Sequence, residues 1–156
     1  VGFSMRQLGS SWTATGQPSS PSSPFSQVRG GRRADPLRDA RILVVEDEFL
    51  VAALLQDRLE ALGCDVVGPA STVSEALELL HVEPVDAAVL DVNINGEKVF
   101  PVADALGERG IPFIFATAYG AAGLADRHAE RAVLDKPYQE RALEHALKAA
   151  MMGRRT

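Results

Sequence analysis

From Arg41 onward the chain alternates short, unbroken apolar runs with longer segments in which apolar residues recur every three or four positions. The short runs ILVVE (42–46), DVVGPA (65–70), DAAVLD (86–91), IPFIFAT (111–117) and AVLD (132–135) read as strands buried on both faces, as in a parallel sheet. Between the first two, EFLVAALLQDRLEALG (48–63) sets Leu50, Leu54, Leu55, Leu59 and Leu62 at helical steps. That spacing predicts a helix that buries the leucine stripe and stops at Gly63. SEALELLHV (74–82) predicts a helix capped by Ser71 or Thr72, and KVFPVADALGERG (98–110) one that tolerates Pro101 only in its first turn. GAAGLADRHAE (120–130) predicts a poor helix, since Gly120 and Gly123 each cost about 1 kcal/mol relative to Ala. YQERALEHALKAAMM (138–152) is the last helix. Five strand–helix units with right-handed crossovers predict a doubly wound α/β fold around a five-stranded parallel sheet.

Residues 1–40 lack this pattern. They hold eight Ser, four Pro and five Gly, too little apolar surface to offset the entropy of ordering, and are expected to be a disordered tail. The domain proper is expected over 41–151, with 152–156 a short C-terminal tail and no output domain after it. The RGGRR run (29–33) is a single weak nucleic-acid signal, and the whole stretch could be leader upstream of a start such as Met5. Five arginines against two aspartates make the tail basic, whereas residues 41–156 carry eleven basic and nineteen acidic side chains. An acidic domain argues against DNA or RNA as its main partner. Cys64 is the single cysteine, which excludes an intramolecular disulfide and a cysteine-based metal site, and it is expected to be a small buried side chain. No apolar run approaches the roughly 18 residues that span a bilayer, and no secretory signal is visible, so a cytoplasmic home is the simplest expectation.

Candidate chemistry sits at the ends of the strand runs: Glu46, Asp47 and Glu48 after ILVV, Asp91 after AAVL, Thr117 after PFIFA, and Lys136 after AVLD. In an open parallel sheet these ends share one edge, the edge at which such sheets bind ligands. Two or three gathered carboxylates repel one another, by about 4 kcal/mol per pair at 4 Å with an effective dielectric near 20. A divalent cation removes that cost, and an all-oxygen donor set suits Mg²⁺. Asp91 on the central strand, facing Glu46 and Asp47, is the plausible nucleophile. Phosphoryl transfer to it requires charge neutralisation on the equatorial oxygens, which Mg²⁺, the Lys136 ammonium and the Thr117 hydroxyl would supply.

The order VVEDE, LD, AT and DKP resembles the bacterial response-regulator receiver domain over residues 41 to 151. The resemblance implies a flavodoxin-like sheet order 2-1-3-4-5, with Glu46, Asp47, Asp91 and the backbone carbonyl of Asn93 as the Mg²⁺ ligands. It implies phosphorylation at Asp91, a catalytic set of Asp91, Thr117 and Lys136, and a cis proline at Pro137. Where receivers commonly have a Met-Pro turn this chain reads DVNINGEKVFPVADAL, and Val133 stands where a switch aromatic is common. FATAYG instead puts Tyr119 two residues after Thr117, similar to the FAT-G-Y subgroup of often single-domain receivers paired with HWE-type histidine kinases. Thr117 and Tyr119 would be its switch residues. Ala118 replaces the usual glycine of that motif, which puts in question any loop conformation with positive φ there.

The function expected is two-component signalling by a stand-alone receiver, a phosphoacceptor and not a turnover enzyme. It would take its phosphoryl group from a sensor histidine kinase and act through an unknown downstream protein or as a phosphate sink. No DNA-binding output domain and no membrane are implied, and a homodimer through the last helix region is a further expected contact. Two rival readings are an aspartyl-phosphate-forming phosphotransferase or phosphatase, such as a haloacid-dehalogenase-like phosphatase, and a pseudo-receiver that binds partners without phosphorylation. The first would need a second aspartate two residues after its nucleophile, where this chain has Asn93. His81, His128 and His145 are expected to be exposed helix residues, and Phe113 and Phe115 core. Deleting residues 1–36 is predicted to shift the melting temperature by no more than a few degrees and to leave phosphotransfer unchanged; a larger drop in a thermal melt would show that the tail packs on the domain.

Overall fold

A computed structural model of the chain describes residues 34–118 and 120–153. Strand β1 (Arg41–Val45) is followed by helix α1 (Phe49–Ala61), strand β2 (Asp65–Ala70), helix α2 (Val73–Val82) and strand β3 (Ala87–Asp91). A small hairpin, β4 (Asn93–Ile94) and β5 (Glu97–Lys98), precedes helix α3 (Phe100–Glu108) and strand β6 (Phe113–Thr117). Two 3₁₀ turns, Gly120–Gly123 and Asp126–His128, lead to strand β7 (Val133–Asp135) and helix α4 (Glu140–Gly153). The five long strands form one parallel sheet in the order β2-β1-β3-β6-β7, which is the expected 2-1-3-4-5 once the hairpin is set aside.

Alternation along each strand sends side chains to two cores. Leu43, Val45, Leu90, Phe113 and Phe115 pack on the face covered by α2 and α3. Ile42, Val44, Val89, Ile114 and Ala116 pack on the face covered by α1 and α4. Thr72 caps α2 by accepting the Glu75 N–H at 3.0 Å, while the Glu75 carboxylate reaches back to the Ser71 N–H at 2.9 Å. Pro101 lies in the first turn of α3, as its missing N–H requires. Cys64 is buried, and burial, chiefly, pushes its thiol up to about 11. No helix among the described residues is long and apolar enough to cross a membrane.

The structure corrects four expectations. In α1 the buried stripe is Ala52, Leu55 and Leu59, while Leu50 and Leu54 are 78% and 51% exposed. At about 100° per residue, Leu50 and Leu54 fall on the opposite side of the helix from Ala52 and Leu59. The crossover after β6 contains no α-helix, only the two 3₁₀ turns, in keeping with the cost of its glycines. His128 is not exposed but buried, at 5% exposure, where its ring meets Phe100, Phe113 and Phe115. The ordered domain also begins before Arg41: Leu37 is fully buried in the core that holds Leu59, Cys64 and Leu147, and the Asp39 N–H donates to the Gly63 carbonyl at 2.7 Å.

Leu37→Ala is therefore predicted to cost about 2–4 kcal/mol of stability in urea unfolding, the range for truncating a buried leucine in a core that collapses incompletely. A cost below about 0.5 kcal/mol would place Leu37 outside the cooperative core.

Candidate functional site

The carboxyl ends of β1, β3, β6 and β7 deliver the expected polar residues to one edge of the sheet. Glu46 and Asp47 follow β1, Asp91 ends β3, Thr117 ends β6 and Lys136 follows β7. The Lys136 Nζ donates to Glu46 Oε1 at 2.7 Å and to Asp91 Oδ2 at 3.2 Å, joining residues 90 and 45 positions apart. The second Glu46 oxygen accepts the Glu48 N–H at 3.0 Å. Thr117 is buried, and its carbonyl accepts the Lys136 N–H at 2.9 Å, which fixes the ends of β6 and β7 to each other. The Lys136–Pro137 peptide is cis, as the resemblance implied.

Burial raises the Glu46 pKa, and the hydrogen bonds from Lys136 and the Glu48 N–H oppose the rise without cancelling it. Burial also works against the Lys136 ammonium, but the Glu46 hydrogen bond and the charges of Asp91 and Glu46 outweigh it and raise its pKa. Both partners thus hold a proton more firmly than in water. Glu46, Asp47 and Asp91 bring carboxylate oxygens within 4.8 Å of one another. Three hard oxygen donors with no imidazole or thiolate among them fit Mg²⁺.

Asn93, expected to supply a carbonyl, opens the β4–β5 hairpin and pairs with Lys98. Asn95 at the hairpin tip went unnoticed from sequence. Its N–H donates to Asp47 Oδ2 at 2.9 Å and its side chain to the Ser71 carbonyl at 3.0 Å, tying the acidic loop to the loop before α2. The signal was present: Asn-Gly supplies two consecutive residues of positive φ, here 51° at Asn95 and 83° at Gly96. Tyr119 lies outside the described residues. Positive φ in that loop falls on Gly120, at 62°, and not on Ala118, so the replacement of the motif glycine is tolerated.

A second feature missed from sequence flanks the site. Leu50 and Leu54 stand exposed on the outer side of α1, and Phe49, at 81% exposure, opens the helix. Beside them a groove of about 420 Å³ runs between α1 and the start of α4, lined by Val51, Leu54, Arg58, Lys136, Pro137 and Tyr138. The Arg58 guanidinium in its lining donates to the Tyr138 carbonyl at 3.1 Å and so bridges α1 to the segment before α4.

Lys136→Ala is predicted to cost about 2–3 kcal/mol without metal near pH 7.5, because it strands a buried carboxylate. A raised folded-state pKa contributes stability below the unfolded value that is lost as pH rises through the folded one. The deficit of the variant should therefore shrink as the pH is lowered from about 7.5 to about 5, the direction that favours protonation of Glu46. Urea unfolding in a chelator at both pH values checks this; a deficit independent of pH would remove Glu46 as its cause.

The chain is similar to several known proteins. SdrG from Sphingomonas melonis Fr1, a solution structure, is 45% identical, with a TM-score of 0.66, covering 72% of this chain and 96% of that one. The receiver domain of the PhyR response regulator of Erythrobacter litoralis is 28% identical, with a TM-score of 0.69, covering 77% of this chain and 95% of that one. The transcriptional regulatory protein PdtaR of Mycobacterium tuberculosis is 29% identical over 122 residues, 76% of this chain, and the chain spans about 60% of its length. Residues 42–148 match the response regulator receiver domain, and the chain belongs to that family of two-component signalling domains.

Proposed function

We propose that Asp91 accepts a phosphoryl group from the phosphohistidine of a sensor histidine kinase. The observation that carries this is the placement of Asp91 at the end of the central strand, 3.2 Å from Lys136 and with Glu46 and Asp47 oxygens close by. An Asp91 oxygen attacks phosphorus, the P–N bond breaks, and its electron pair returns to the imidazole. Lys136 neutralises charge on the transferring oxygens, and the Thr117 hydroxyl donates to one of them. Glu46, Asp47, Asp91 and the Asn93 carbonyl would hold Mg²⁺, which supplies further charge neutralisation at the phosphoryl group. The domain is a phosphoacceptor whose own side chains assist its loading and hydrolysis.

The kinase would cover the outer side of α1. Leu50, Leu54 and the adjoining groove, which Lys136 also lines, form an apolar surface at the rim of the Asp91 pocket, where a donor histidine must arrive. An HWE-type kinase in the cytoplasm is the proposed donor, on the resemblance of FATAYG to the FAT-G-Y subgroup. The signal would pass through Thr117 and Tyr119 to the segment before β7, and from there to a downstream protein.

Asp91→Asn is predicted to abolish labelling by acetyl phosphate with Mg²⁺ in a phosphate-affinity gel, because the amide keeps the shape and loses the attacking anion. Labelling at the wild-type rate would overturn the assignment. Leu54→Glu should slow transfer from the cognate kinase at least about ten-fold while leaving acetyl phosphate labelling unchanged; equal slowing of both would locate the effect in the pocket instead of the docking face.

A further inference from the structure

The segment between β6 and β7 is held by side chains where the other crossovers are held by helices. Its backbone bonds from Ala125 to Arg131 are short-range turns: His128 N–H to the Ala125 carbonyl at 2.9 Å, Ala129 N–H to Asp126 at 3.1 Å and Arg131 N–H to His128 at 3.1 Å; the sheet takes hold only at Ala132, whose carbonyl accepts the Phe115 N–H at 2.9 Å. Its far end, by contrast, is fastened to α3. Arg127 grips Asp104 with two parallel bonds, Nε to Oδ1 at 2.8 Å and Nη2 to Oδ2 at 2.9 Å. The His128 Nε2 lies 3.0 Å from the same Asp104 Oδ1. Asp104 is held below its usual pKa, first by the Arg127 hydrogen bond, so it is the anionic partner of both.

The buried His128 ring completes the fastening. It stacks on Phe100 at the start of α3, centroids 5.6 Å apart, and meets Phe113 and Phe115 edge-on at 6.0 and 5.8 Å. The Arg131 guanidinium lies 4.3 Å over the Phe113 ring, and Arg127 lies 5.8 Å over Phe100. The His128 Nδ1 is buried without a hydrogen-bond partner. The tautomer with the proton on Nε2 donates to Asp104 and leaves no N–H buried without an acceptor. Phe113, Phe115 and Thr117 share one face of β6, so His128 rests on the row of side chains that ends in the Thr117 hydroxyl.

We infer that Asp104, Arg127 and His128 form a latch that pins the segment after Thr117 to α3 and sets its resistance to movement. Asp104 and His128 are positioning residues in this scheme; neither reaches the phosphoacceptor. That the latch opposes phosphorylation in particular rests on the phosphoacceptor reading of Asp91. A phosphoryl group that draws in the Thr117 hydroxyl pulls the near end of a segment whose far end is fixed. The work of stretching or releasing the latch is then subtracted from the affinity for that group.

Amide hydrogen exchange of the full chain tests the latch without any phosphoryl analogue. Asp104→Ala should raise exchange rates at residues 124–131 about ten-fold while leaving β1, β3 and α4 as in the wild type. Unchanged rates there, or a uniform rise across the domain, would overturn it. His128→Phe keeps the aromatic stacking and removes the bond to Asp104, and should give a smaller rise in the same residues; wild-type exchange in this variant would strike His128 from the latch.

Beryllofluoride with Mg²⁺, followed by NMR titration, tests the coupling. Asp104→Ala should bind it several-fold more tightly than the wild type, whereas a purely structural role leaves the affinity unchanged or weaker and sinks the coupling. A wild-type protein that binds no beryllofluoride would instead refute the phosphoacceptor reading, and the exchange comparison would still decide the latch.

Discussion

The Lys136 ammonium between the Glu46 and Asp91 carboxylates is the interaction on which the rest of the pocket depends. Carboxylate oxygens from three residues lie within 4.8 Å of one another, a spacing at which a charged pair repels by about 3.5 kcal/mol at an effective dielectric near 20. Lys136 offsets part of this from the opposite side, at 2.7 Å and 3.2 Å from two of the acids. What remains uncompensated lies around Asp47, whose neighbour is a backbone N–H from the hairpin tip and not a cation. The protein itself thus sets one ammonium against three carboxylates, a surplus of negative charge that favours a divalent ion.

The sheet makes that convergence unavoidable. Strands buried on both faces have room for polar residues only where they leave the sheet, and a parallel arrangement puts all the departures on one edge. The register supports this: Asp91 pairs with Ala116 and Thr117 with Asp135, so the acid, the hydroxyl and the lysine that follows stand within a residue or two of a common level. The bond from the Lys136 N–H to the Thr117 carbonyl then ties the Thr117 hydroxyl and the charged lysine to one corner of the sheet.

These local rules explain what could be read from the chain. Five apolar runs, four of them ending in Glu46, Asp91, Thr117 and Asp135-Lys136, were legible because burial on two faces leaves a signature within each strand. The side of α1 was not legible in the same way: its leucines form two stripes, Leu55 with Leu59 and Leu50 with Leu54, and only the position of the sheet decides which is buried. His128 was harder still. What buries it is Asp104, twenty-four positions away on α3, together with a box of phenylalanines from two elements. Leu37 was lost because its burial comes from a single apolar residue in a turn, below any periodic pattern. The Asn95-Gly96 turn carried a local signal, and its role at Asp47 is set by a loop forty-eight positions distant.

The same contrast between local and distant control runs through the crossover after β6. A helix there would be stabilised by its own backbone ladder, and a shift at one end would have to break several cooperative bonds to reach the other. Two 3₁₀ turns offer no such ladder, so the segment takes its position from whatever holds its ends. At the Thr117 end that is the edge of the sheet and the acidic pocket; at the His128 end it is the aromatic box and Asp104. A change of charge at Asp91 then acts on one anchor of a segment whose other anchor is a discrete set of side-chain contacts, and discrete contacts open or hold as a unit. That is the physical requirement for a switch with two positions and not a continuous deformation.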